Sequence, residues 1–139
     1  MQMSNDKLTL IIKTPEGTSI KKEALFVQFN SKSGEIGIFP NHEPSLFELK
    51  PGSLVTKESE DLTITHFIPE GIAQVMPEGI TILTPYIEDG SIIDASRAQK
   101  SLERATTRLK RPESHIDVER ARQSLIRAEE RLFIVEQRN

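Results

Sequence analysis

The chain has 139 residues, no cysteine and a formal net charge of −3 at pH 7. That length suits one compact domain with an appendage and falls short of two full domains; the lack of cysteine excludes a disulfide framework, thiolate chemistry and a metal site built on sulfur. No apolar run approaches the roughly 20 residues that span a bilayer, and residues 1–7 lack the basic-then-apolar order of a signal peptide. The expectation is a soluble intracellular chain whose membrane association is borrowed from a partner.

The first two-thirds of the sequence has the two-residue period of half-buried strands. Leu8, Leu10 and Ile12 alternate with Thr9, Ile11 and Lys13, and Leu25, Val27 and Phe29 alternate with Phe26 and Gln28. Further on, Leu62, Ile64, His66 and Ile68 alternate with Thr63, Thr65 and Phe67, and Ile80 and Ile82 repeat the pattern. Turn signals separate these runs at Pro15-Glu-Gly17, Ser33-Gly34, Lys50-Pro-Gly52, Glu60-Asp61 and Pro77-Glu-Gly79. Many short strands at regular spacing imply an antiparallel β-sandwich or flattened barrel. Between the runs lies Gly34-Glu-Ile-Gly-Ile-Phe-Pro-Asn-His42 followed by Glu43-Pro44, an unusually dense set of glycines and prolines around an acid and a histidine.

The last third changes period. Ala95, Ala98, Leu102, Ala105 and Leu109 step by three and four, and beyond Pro112 the stripe Val118, Ala121, Leu125, Ala128, Leu132 and Val135 does the same. These are two amphipathic helices with narrow apolar seams. Asp94 or Ser91 can cap the first, and Ser114 with Asp117 resembles a capping box for the second. The connection at 110–114 is short, so the helices fold back as an antiparallel hairpin. Six larger apolar side chains are few for the entropy of ordering about forty residues; the hairpin needs a docking surface, ligand or partner, and is read as a detachable element.

Charge divides at the same place. Residues 1–93 carry seven Lys, no Arg and thirteen acids, whereas residues 94–139 carry nine Arg, two Lys and eight acids. Such a shift marks two units in different surroundings, here a β-sandwich at 1–87 and a hinge with a helical hairpin at 88–139.

Gly34, Glu35, Gly37, Pro40, His42 and Pro44, continued by Leu46, Leu49 and Pro51-Gly52, resemble the signature of the epsilon subunit of bacterial F-type ATP synthase. The resemblance spans almost the whole chain. Two segments depart from the family pattern: at Phe67–Val75 only Gly71 remains of an adjacent glycine pair, with Glu70 before it, and Leu83-Thr-Pro-Tyr86 alters the exit from the last strand. The resemblance implies a non-catalytic rotor subunit of the central stalk, on the cytoplasmic side of the bacterial inner membrane through its complex and without inserting into the bilayer. The sandwich is expected to bind the gamma shaft and to rest on the polar loops of the membrane c-ring, with Glu35 and His42 facing the ring. An acid suits that position because it accepts charge-assisted bonds from basic or amide groups; a solvated turn for Glu35 and a local loop bond for His42 are the plain structural readings. The helices are expected either to lie compact on the sandwich or to extend to the alpha/beta catalytic head, where they inhibit ATP hydrolysis. Proton or sodium coupling and the oligomeric state of the isolated chain stay open.

Some bacterial members also sense ATP, which favours the compact form. Their Ile/Leu-Asp-x-x-Arg-Ala hallmark is matched by Ile93-Asp94-Ala-Ser-Arg97-Ala98, and Arg127 and Arg131 resemble their paired arginines. Arg104 lies seven residues beyond Arg97 on nearly the same helix face, Arg127 and Arg131 are i and i+4, and Glu88 matches an acid at the adenine end. The implied regulatory site is Glu88, Ile93, Asp94, Arg97, Arg104, Arg127 and Arg131. Guanidinium groups bind phosphate oxygens bidentately, and Asp94 can accept from a ribose hydroxyl or an amino group. The competing reading is a solvated face of helical ion pairs. No cofactor is required; ATP enters as a regulatory ligand.

Enzymatic motifs are lacking: there is no Gly-x4-Gly-Lys-Ser/Thr loop and no Gly-x-Gly-x-x-Gly fingerprint. His42, His66 and His115 have no metal spacing; His66 reads as structural and His115 as exposed. Two alternatives stand: an epsilon-like coupling subunit without an ATP site, and a basic hairpin that binds nucleic acid through Arg97, Arg104, Arg108, Arg111, Arg120 and Arg122. Eight acids in the same unit, an acidic chain overall and a single Tyr argue against nucleic acid.

Overall fold

The computed structural model describes residues 7–111 and 115–138. The break at Pro112, the Ser114 cap and the side chain of His115 lie outside the described residues.

Among the described residues ten strands precede two helices: β1 (Leu8–Lys13), β2 (Ser19–Ala24), β3 (Phe26–Ser31), β4 (Gly34–Ile38), β5 (Ser45–Leu49), β6 (Gly52–Ser59), β7 (Leu62–Ile68), β8 (Gly71–Met76), β9 (Gly79–Leu83), β10 (Glu88–Asp89), α1 (Ala95–Lys110) and α2 (His115–Gln137). The sheet order is β10-β7-β6-β3-β5-β8-β9-β1-β2, with β4 added to β3. It folds over on itself: Leu25 N donates to Lys57 O at 2.7 Å, and Lys22 of β2 pairs with Glu58 of β6 at 2.8 Å. The inward-facing residues of both halves form one core that includes Leu8, Leu10, Ile12, Val27, Phe29, Leu54, Val75 and Ile82. This is the expected sandwich, with one exception to its antiparallel pairing. β1 and β9 run parallel, Leu10 opposite Ile80 and Ile12 opposite Ile82. Local alternation sets which face of a strand is buried, whereas a parallel neighbour far along the chain is set by crossover connections.

On β7 the two-residue pattern also fails at its end, where His66, Phe67 and Ile68 are all buried. His66 and Ile68 face the sandwich core, opposite Leu54 and Gly52 of β6. Phe67 points the other way and is covered by the helical hairpin. Covering the second face of a sheet removes its polar alternation. His66 Nδ1 and Thr56 Oγ1 are buried without a hydrogen-bond partner. Burial, followed by the charge of Lys22, holds the His66 imidazole below its ordinary pKa, against the opposing pull of Asp89 and Glu58.

The altered exit from β9 has a specific anchor. Buried Thr84 donates from Oγ1 to Glu70 O at 2.7 Å, and its N–H donates to Lys13 O at 3.1 Å. Gly71 follows Glu70 at φ 151, where a Cβ would stand 2.2 Å from Leu83 O. The single retained glycine is the position where the chain has no room for a side chain.

Candidate functional site

The hinge between sandwich and helices is built from short polar devices. β10 pairs with β7, Glu88 opposite Phe67 and Asp89 opposite His66. Asp89 Oδ1 accepts from Ser91 N at 2.9 Å and from Ser91 Oγ at 2.8 Å, which starts a single 3-10 turn at Gly90–Ile92. These bonds from Ser91 hold the exposed Asp89 carboxyl below the usual carboxylate range. Asp94 then caps α1 by accepting from Arg97 N at 3.0 Å. Asp94, rather than Ser91, is therefore the cap.

The two helices meet along small residues: Ala98 and Ala105 of α1 and Ala121 and Ala128 of α2 are buried, while Leu102, Leu109, Leu125 and Leu132 are only half-buried. The hairpin is held on the sandwich by a second, smaller core of Phe67, Ile93 and Ile134, with Tyr86 and Val135 packed against it. Ile134, 2% exposed, lies off the seam read from the sequence. α2 thus has two apolar partners, α1 along the seam and the sheet near its C-terminal end. Gly90 permits this approach: a Cβ there would meet Thr65 O at 2.5 Å and the Ile134 side chain at 2.9 Å.

At the boundary between helix and sheet sits Arg131. Its Nε and Nη2 donate to the two carboxylate oxygens of Glu88, each at 2.9 Å, Nη2 also reaches Tyr86 Oη at 3.1 Å, and the guanidinium lies 4.5 Å from the Phe67 ring centroid. Burial acts against its charge, but the hydrogen bonds and charge of Glu88 more than offset this and raise its pKa. Nearby, Arg138 Nη1 donates to Gly90 O at 2.9 Å. Next to Arg131 in the chain, Glu130 lies against the sandwich, its Oε1 3.3 Å from where a Cβ on Gly52 would stand. Burial pushes the Glu130 carboxyl up, partly opposed by Lys50.

Two adjoining cavities flank this junction. One, of about 570 Å3, is lined by Glu88, Ile93, Asp94 and Arg97 and by the apolar Ile87, Ile92 and Ala98. The other, of about 370 Å3, lies between the helices and is lined by Arg104, Arg108, Arg127 and the hydroxyl-bearing Tyr86 and Ser124. Ser101 and Arg131 line both. All seven residues read from the sequence as a nucleotide site therefore border this pair of cavities. Glu88 and Arg131, assigned there to opposite ends of a ligand, are joined to each other. Among the described residues Arg104 and Arg127 are not in helical ion pairs: Arg104 Nη2 donates to Ser101 Oγ at 3.1 Å and Arg127 Nη2 to Ser124 Oγ at 3.5 Å. Sequence reading missed Tyr86, Ser101 and Arg108 as lining residues. Arg108 was legible in part, because it follows Arg104 by four; Tyr86 reaches the site only through the fold.

The Gly34–Pro44 segment is a separate place. Glu35 is exposed on β4, opposite Asn30. His42 donates from Nδ1 to Glu43 O at 2.7 Å, so the local loop bond is present. Asn41 takes a positive φ of 67, a conformation asparagine tolerates, and its N–H reaches Pro77 O at 3.0 Å. Phe39 stacks on Phe26 with ring centroids 4.7 Å apart and is 64% exposed. Among the described residues no group of three or more His, Asp or Glu is placed to hold a metal ion, and no helix is long and apolar enough to cross a membrane.

Comparison with known proteins matches two family models in succession. Residues 7–90 fit the model of the ATP synthase delta/epsilon chain β-sandwich domain, and residues 91–134 fit that of the delta/epsilon long α-helix domain. The chain is 36% identical to the ATP synthase epsilon chain of Desulfosudis oleivorans over 76% of its own length and 79% of the relative's. It is 34% identical to that of Bacillus cytotoxicus, over 76% and 78%. In fold it is similar to a chain of the Euglena gracilis mitochondrial ATP synthase, with a TM-score of 0.82 at 20% identity over 92% of this chain and 81% of that one. A chain of the Tetrahymena thermophila mitochondrial ATP synthase central stalk and c-ring gives 0.62 at 11% identity, over 93% and 96%. With both units matched in order, the chain belongs to the epsilon family of the F-type ATP synthase, a non-catalytic subunit of the central stalk.

Proposed function

We propose that this subunit couples the gamma shaft to the polar loops of the c-ring, inhibits ATP hydrolysis when its helices extend to the alpha/beta head, and binds ATP as a regulatory ligand that favours the compact form. It works on the cytoplasmic side of the bacterial inner membrane, as a peripheral part of the complex. The observation that carries the nucleotide reading is the juxtaposition of all seven expected residues around two cavities at the hairpin–sandwich junction, with Arg97, Arg104 and Arg127 unpaired with any acid among the described residues. Apolar Ile92 and Ile93 and the acids Glu88 and Asp94 suit a nucleoside at the hinge end. The guanidinium groups suit phosphates at the interhelix end.

Support for the shaft contact comes from the outer face of the β5-β8-β9 sheet. Leu46, Ile72 and Leu83 are 71%, 45% and 50% exposed there, with Ile72 directly opposite Leu83. Exposed apolar side chains gathered on one sheet face suit a protein partner. Glu35 on β4 and His42 in the loop that follows it are assigned to the ring. Calorimetric titration of the chain with ATP, beside Arg97→Ala and Arg127→Ala, tests the sensor. Saturable binding weakened in both variants supports it; no binding at millimolar ATP refutes it.

The second reading, a coupling subunit without an ATP site, draws on one observation. Arg131 and Glu88, which dock the hairpin, satisfy each other within the protein.

A further inference from the structure

We propose that His66 is a proton-operated release for the docked hairpin: taking up a proton as pH falls below neutrality, it frees β10 from the edge of β7 and loosens both helices from the sandwich. This device stands apart from the nucleotide site and needs no bound ATP.

β10 has two residues and stands at the end of the sheet order, with β7 as its neighbour. It belongs to the mooring of the hairpin, since Glu88 holds Arg131 of α2 and the adjoining Gly90 carbonyl accepts from Arg138. Beside that mooring His66, 9% exposed, lies opposite Asp89 of β10 on one side and Leu54 of β6 on the other. Directly opposite residues share a sheet face, and Thr56, two residues beyond Leu54, shares it too. Thr56 Oγ1 and His66 Nδ1 are the buried side-chain atoms without a hydrogen-bond partner among the described residues. The charges that act on the imidazole come from three elements: Lys22 of β2, Glu58 of β6 and Asp89 of β10, with Lys22 and Glu58 paired at 2.8 Å. Glu88 and Arg131 lie with Phe67 on the opposite face of β7, joined to each other.

Histidine is the side chain whose ordinary pKa puts its change of charge between about pH 5 and 8. With β10 in place, a proton on His66 makes a buried cation near Lys22. Burial and that repulsion outweigh the attraction of Asp89 and Glu58, so the docked state resists the proton. When β10 leaves, β7 becomes the edge strand and water reaches the imidazole from that side. The attraction of Asp89 is lost as well, but Asp89 is exposed and its charge is screened, whereas burial is the larger influence on His66. The released state therefore takes up the proton more readily. Docking keeps the full contribution of His66 above the ordinary value of 6.5 and weakens as pH falls below it. Glu130 acts in the opposite sense, because its carboxyl is pushed up in the docked state.

The test is hydrogen exchange of the full chain at pH 7.5 and 5.5, corrected for the intrinsic exchange rate, for the parent and for His66→Gln. Glu130 is common to both chains, so its contribution cancels in the comparison. Protection of the α2 amides should fall about 3- to 10-fold further in the parent than in the variant, the factor by which docked and released states differ in their hold on the proton. Parallel changes in α2, with a loss in the parent confined to the sandwich amides of Leu10, Ile12 and Ile82, overturn the release and leave His66 acting on the sandwich alone. Should His66→Gln fail to fold, Glu130→Gln decides, because the opposing carboxyl is then removed. Nuclear magnetic resonance gives the midpoint at which the His66 ring titrates, and α2 protection in that chain should fall through the same pH range. Protection of α2 that holds steady through the His66 midpoint overturns the release.

Discussion

Removing the Arg131 side chain tests how the hairpin is held. Arg131→Ala deletes two bonds to Glu88, one to Tyr86 and the contact with the Phe67 ring. The ion pair is neither exposed nor deeply buried, with side chains 22% and 35% accessible. Its worth falls between the 0–1 kcal/mol or so of a surface pair and the roughly 3–5 kcal/mol lost on breaking a buried one, at about 1–2 kcal/mol after solvent screening. The Tyr86 bond and the ring contact add about 1 kcal/mol together. Docking should therefore weaken by about 2–3 kcal/mol, and opening become about 30- to 150-fold more frequent. Hydrogen exchange of the full chain reads this directly. Amides of α1 and α2 should lose protection by that factor, up to the limit of an undocked hairpin, while those of Leu10, Ile12 and Ile82 in the sandwich core stay unchanged. Glu88→Gln should give a smaller loss, and the double variant should show coupling of about 1–2 kcal/mol. If the α2 amides change by less than threefold, or the sandwich amides lose protection in step with them, the pair is not the docking element.

Three further outcomes follow from the same contacts. Gly90→Ala forces a Cβ between Thr65 O and Ile134, and should cost about 1–3 kcal/mol in docking, read as lost α2 protection. Glu130 has a raised carboxyl pKa in the docked state, so its contribution is favourable below the ordinary carboxylate pKa and is lost as pH rises through the docked value. At neutral pH, Glu130→Gln should stabilise docking by on the order of 0.5 kcal/mol, and an unchanged or lower melting temperature would count against this. His66 has a lowered pKa, so the fold keeps its full contribution above the ordinary value of 6.5 and loses it as pH falls through the native value. Denaturant titrations from pH 7.5 downwards should show stability falling below about pH 6.5, with a shallower fall in His66→Gln; parallel curves would remove His66 as the cause.

Local pattern carried much of this molecule. The inward positions of β1 follow from Leu8, Leu10 and Ile12 at period two, because side chains alternate across a strand. The seam between α1 and α2 follows from alanines and leucines that alternate in steps of three and four, and the Asp94 cap from an acid placed just before a helical run. The expected site residues came from the resemblance of Ile93-Asp94-x-x-Arg97-Ala98 and of the pair Arg127 and Arg131 to the family's motif, and they border one pair of adjoining cavities.

What only the tertiary structure decided concerns contacts between distant segments. Nothing in the local pattern pairs β1 in parallel with β9, buries Phe67 on the outer face of β7, or places Ile134 off the seam and into a second core. Glu88 and Arg131 were both identified, yet their union depends on β10 joining the edge of β7 while α2 returns across it, 43 residues later. Periodicity reports which face of an element is buried, because that is a property of its own helical or pleated geometry. Which surface covers that face, and which charges meet there, is fixed by how the elements pack together.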